Sequence, residues 1–168
     1  MVVSENSVIH FFPGMPDTSK VWIYQANRFL SQEEANFLSE KASLFCKTWE
    51  SHGSMLEAQS YVFHNLFLVF AVDELQHEAS GCSIDKSVHF VKEIQHNIGV
   101  DFFNRTIVSY VDKNNSIKCI PAAKIKEAFK EGEIDNKTLI FNNLINDLHA
   151  LRTKWTVLMG DSWVSKIL

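Results

Sequence analysis

At 168 residues and 19.2 kDa, the chain has room for one domain with a real core, since domains of about 100–150 residues are the commonest. A net charge of −4 and a pI near 6.0 argue against a nucleic-acid partner, which calls for a clustered basic face. No apolar run approaches the roughly 20 residues that cross a bilayer, so no membrane partner is expected either.

Residues 1–19 carry Pro13, Gly14, Met15, Pro16 and Asp17, a turn-rich N-terminal segment expected to lie over the surface. Residues 1–12 show no cationic start, signal-peptide core or small-residue cleavage site. Cys46, Cys82 and Cys119 are odd in number and lack CxxC spacing, which suggests neither a disulfide framework nor a zinc knuckle. A reduced, cytoplasmic protein is the expectation. Residues 20–168 contain no repeat, low-complexity stretch or linker and read as a single α+β domain.

Val21-Trp22-Ile23-Tyr24-Gln25 has the β-branched and aromatic content of a first strand. Ser31, with Glu34 three residues on, is a capping box. Behind it Leu38, Ala42, Phe45 and Trp49 form one stripe of an amphipathic helix, and His52-Gly53 marks its exit. Residues 66–72 are too apolar for a half-solvated strand and read as a buried one. The preceding residues 56–63 admit two readings. As a strand they turn back through His64-Asn65, which pairs Phe63 with Leu66 and Leu56 with Asp73, and brings His52 to one rim with Asp73-Glu74. As a loop, beside a strand running parallel to the first, they leave His52 at the far end. The hairpin is favoured.

Residues 86–98 continue as a helix with Ile84, Val88, Val91 and Ile98 on one face and Asp85, His89, Lys92 and His96 on another. Gly99 is its stop. Residues 106–111 and 116–120 are strands joined by Asp112-Lys113-Asn114-Asn115. A short helix over 122–130 closes at Gly132. Asp135 or Asn136 is expected to cap a longer helix, because Phe141, Leu144, Leu148, Leu151 and Trp155 step at three and four. The tail after Thr156 adds a short last strand. The sum is a mixed, mainly antiparallel sheet of about five strands with three to four helices packed on it. Thirteen Phe and four Trp imply an aromatic core, and Trp22, Tyr24, Trp49, Trp155 and Trp163 fit it better than a pocket lining.

Chemistry concentrates in Ser80-Gly81-Cys82-Ser83-Ile84-Asp85, at an apparent helix start. Such an end presents unpaired N–H groups and a partial positive charge, which cap themselves, hold an anion or activate a thiol. Cys82 is the candidate nucleophile, with His52 as its base if the hairpin holds. The plainer reading makes Cys82 a small buried residue and Ser83 the cap. Ser80, Gly81, Ser83 and Asp85 are candidate ligand contacts, with Arg28 as a bidentate partner and Asp73 orienting the ligand. Asp85 cuts the other way, since a carboxylate there already uses the dipole or pairs with Arg28. Asp73, Glu74, His77 and Glu78 hold enough oxygen and nitrogen for a divalent ion, with Asp85 and His52 as additions. A solvated loop after a buried strand explains them better. No metal or cofactor is expected. Asn142-Asn143 is an odd pair for a helix interior.

Trp22-Ile23-Tyr24-Gln25 with Asn27-Arg28, His52-Gly53, Ser80 to Asp85, Phe141-Asn142-Asn143 and Ser162-Trp163 carry a resemblance over residues 20–165. The chain resembles a family of short uncharacterised bacterial proteins often labelled as ABC-transporter ATPases, and Gly81-Cys82-Ser83-Ile84-Asp85 is the most specific element. The resemblance implies no activity. The ATPase label requires GxxxxGK followed by Ser or Thr, so that backbone amides and a lysine hold the phosphates. No Gly-Lys-Ser or Gly-Lys-Thr triplet and no LSGGQ-like signature occurs in this sequence. The expected function is binding of a small polar or anionic ligand at 82–85. A non-catalytic interaction module or homo-oligomer, and a small cysteine-dependent hydrolase or transferase, are the alternatives.

Overall fold

The computed structural model describes residues 10–168; the first nine residues of the N-terminal segment lie outside that range. The fold is α+β with mostly antiparallel strands. The chain forms two compact units, one of Phe11–Asn104 with Asn146–His149, the other of Arg105–Ile145 with Ala150–Leu168.

The first unit opens with strand β1 (Lys20–Gln25) and helix α1 (Gln32–Thr48). The capping box is complete: the Glu34 N–H donates to Ser31 Oγ at 3.1 Å, and the Ser31 N–H donates to Glu34 Oε2 at 2.8 Å. A tight two-residue hairpin, β2 (Glu50–Ser51) and β3 (Ser54–Met55), follows, then the long strands β4 (Glu57–Phe63) and β5 (Phe67–Asp73), and helix α2 (Gly81–Ile98). The sheet order is β1-β5-β4, with both pairings antiparallel.

The favoured hairpin is present, displaced by one residue. Phe63 pairs with Phe67 and Glu57 with Asp73, because His64 and Asn65 both take left-handed backbones and Leu66 N–H closes the turn on the Phe63 carbonyl at 3.0 Å. Leu66 is thus added to the loop. The register then explains the apolar run. Phe67 to Val72 are all 0% exposed, since successive side chains enter opposite faces and both faces are covered. On one face Phe70 lies within 5.6 Å of the Phe45 and Trp49 rings and 6.1 Å of Phe90, from α1, its C-cap and α2. On the other, Phe11 and Phe12 stand edge-on to Tyr61 at 4.9 and 4.8 Å. The described part of the N-terminal segment is therefore partly core: Phe12 is 0% exposed.

In α1 the buried stripe is Ala35, Leu38, Ala42 and Cys46, with Trp49 as C-cap. In α2 the innermost residues are Ser83, Ser87, Val91 and Ile94, so two serines stand where aliphatic residues were expected. Each satisfies its hydroxyl within the helix, donating to the carbonyl three residues back at 2.8 and 2.7 Å. Gly99 ends α2 at φ 65°, a left-handed cap that a Cβ disfavours.

The second unit is a four-stranded sheet in the order β7-β6-β8-β9. Its strands are β6 (Ile107–Val111), β7 (Ile117–Pro121), β8 (Leu139–Phe141) and β9 (Thr156–Leu158), with helix α3 (Ile125–Lys130) after a 3-10 turn at Ala122–Lys124. The β6–β7 hairpin follows its turn chemistry: Asp112 Oδ1 accepts the N–H groups of Asn114 and Ser116 at 2.8 and 2.9 Å. Its core joins Val108, Tyr110 and Ile120 to Ile125, Ala128, Ile134, Ile140, Met159 and Val164.

The long helix expected from Asp135 or Asn136 to Trp155 is not formed. Residues 139–141 are strand β8, paired with β6 and β9, and only Leu148–Lys154 is helical (α4). Asp135 caps a turn instead, accepting from the Lys137 N–H at 2.8 Å. The Asn pair ends the strand: the Asn142 N–H donates to the Trp155 carbonyl at 2.6 Å and Asn143 Oδ1 accepts from Trp155 Nε1 at 3.1 Å. Trp163, expected in the core, is 40% exposed.

Candidate functional site

The cap of α2 is Ser80, not Ser83. Ser80 has an extended backbone and its Oγ accepts the Ser83 N–H at 3.3 Å. Ser83 sits one turn inside, 1% exposed, and its carbonyl accepts the Trp49 indole N–H at 2.8 Å. This bond fastens the end of α1 to the start of α2. The β2–β3 hairpin flanks the same point. Ser51 Oγ accepts the Ser80 N–H at 3.3 Å, and Lys86 Nζ meets Glu50 Oε1 at 3.0 Å. Two successive left-handed residues, His52 at φ 52° and Gly53 at φ 80°, make the hairpin turn, the conformation that a two-residue loop between right-twisted strands requires.

What remains open at this corner is Gly81 and Cys82, both exposed. Nothing lies within 4 Å of the position a Cβ would take on Gly81. The first turn of α2 holds no acidic residue. Asp85 stands in the second turn, exposed, so it neither caps the helix nor pairs with Arg28. Among the described residues neither the Cys82 thiol nor the His52 ring has a hydrogen-bond partner, so no Cys–His dyad is formed. The other thiols differ. Cys46 is buried, which pushes its pKa up to about 11. Cys119 is half-buried beside Ser109 Oγ at 3.6 Å, and burial raises it as well.

Asp73 lies at the same end of the sheet but is turned to the loop that follows it. Its Oδ1 accepts the Leu75 N–H at 3.0 Å, while Glu74 Oε1 accepts the Ala79 N–H at 2.9 Å. Glu74 also faces Lys20 at 3.7 Å. These bonds fix residues 73–79 as a shaped loop. With His77 and Glu78 exposed on it, no three His, Cys, Asp or Glu side chains converge for a metal among the described residues.

Arg28 is not part of the corner. The antiparallel register sets Lys20 against Val72 and Gln25 against Phe67, so the chain leaves β1 at the end of the sheet away from Asp73. There the guanidinium grips Glu34 in bidentate fashion, at 2.8 and 2.9 Å, and donates to the Ile98 carbonyl at 3.1 Å. It closes the start of α1 and the end of α2 together. Asn27 assists, exchanging two 2.9 Å bonds with the backbone of Asp101. Sequence reading missed this clamp; its only local signal is Arg28 six residues before the box glutamate.

A depression lies at the far end of α2. It is an open groove of about 700 Å³ lined by Lys92, Gln95, His96, Gly99, Val100 and Phe103. Lys92 Nζ stands 5.9 Å from the centre of the Phe103 ring.

No family model, no curated protein and no solved structure matches the chain.

Proposed function

We propose that this chain binds a small polar or anionic group at the start of α2, through the N–H groups of Gly81 and Cys82, with the Cys82 thiol alongside. The observation that carries this reading is an uncompensated helix end. The eighteen-residue α2 starts with Gly81 and Cys82 exposed and has no carboxylate in its first turn, and such an end favours negative charge. Ser80, Ser83 and Asp73 shape the corner rather than touch the ligand, and Arg28 lies outside it. Binding is preferred to thiol catalysis because Cys82 has no base in hydrogen-bond contact.

The test is alkylation by iodoacetamide, mapped by mass spectrometry at each cysteine with and without inorganic phosphate. Cys82 is expected to react fastest and to slow when phosphate is added, while Cys46 and Cys119 stay slow throughout. A Cys82 rate indifferent to phosphate, sulfate and small carboxylates overturns the reading.

A further inference from the structure

No further inference is drawn: the strongest candidate, the outer edge of β4, which ends the sheet order β1-β5-β4 and pairs with no further strand among the described residues, carries nothing because nothing in the structure shows what covers it.

Discussion

The two long helices of the first unit both start at a serine, and the two starts are opposites. At α1 the Ser31 box is reciprocal, Glu33 and Glu34 lie in the first turn, and Arg28 locks Glu34 from outside. The helix end is neutralised by its own carboxylates. At α2 the Ser80 hydroxyl satisfies one N–H, but the third helical residue is Ser83, whose hydroxyl turns back to the Ser80 carbonyl. No carboxylate lies in that first turn. One serine cap therefore completes a structural element, while the other leaves the positive end of a helix facing solvent beside a thiol.

The comparison breaks most completely at Trp49, which the α2 start depends on and the α1 start does not. Its ring is 1% exposed, packs against Trp22, Phe45 and Phe70, and its N–H holds the Ser83 carbonyl. Trp49→Ala is expected to cost about 3–5 kcal/mol, as for other buried aromatics. Denaturant unfolding measures it. Trp49→Phe, which keeps most of the volume and loses the hydrogen bond, is expected to cost about 1–2 kcal/mol and to quicken Cys82 alkylation by loosening the corner.

Cap deletions separate the two ends next. Ser31→Ala and Ser80→Ala both fall in the range of about 0.5–2 kcal/mol known for N-caps. The Ser31 cap is exposed, so water replaces its hydroxyl and the lower end of the range is expected. Ser83 is buried, so removing the Ser80 hydroxyl strands an N–H that water does not reach, and the upper end is expected. Acid distinguishes them further. The Arg28 guanidinium, aided by the Ser31 N–H, holds the Glu34 carboxyl at about 2 instead of the ordinary 4.5. A depressed carboxyl stabilises the fold above its unfolded value and loses that contribution as pH falls from 4.5 towards 2. The difference between wild type and Ser80→Ala is expected to persist across that window, while that between wild type and Arg28→Ala shrinks; melting curves from pH 5 to pH 2.5 report both.

Why one of these ends was legible in the sequence and the other was not is a matter of range. The Ser31–Glu34 box and the Asp112–Asn115 turn are made by side chains reaching their own backbone two to four residues away, and local spacing declares them. Ser80 and Ser83 are both good caps by composition, and only the Trp49 bond, 34 residues away in the chain, tells which faces inward. The fate of Arg28 rests on Ile98, 70 residues on. The misread helix over 135–155 has a similar cause. Phe141, Leu148, Leu151 and Trp155 are buried as their spacing suggests, but residues 139–141 gain ladder bonds from β6 and β9 that outweigh helical periodicity. Leu144, on the same apparent stripe, is 77% exposed, which is where the stripe fails.

The sharpest form of the comparison makes α2 resemble α1. Gly81→Glu places a carboxylate in the first turn, where the backbone is not left-handed and no atom lies within 4 Å of the new Cβ. A carboxylate at that position stabilises a helix by about 0.3–1 kcal/mol, so the variant is expected to unfold at slightly higher denaturant. The same charge occupies the space where an anion would sit and repels it. Phosphate should then no longer slow Cys82 alkylation, and the thiol itself should react more slowly, since a neighbouring negative charge disfavours its thiolate. Gly81→Gln shares the size without the charge and should retain the phosphate effect. If Glu and Gln behave alike, the open start of α2 is a matter of shape, and the electrostatic contrast with α1 has no functional weight.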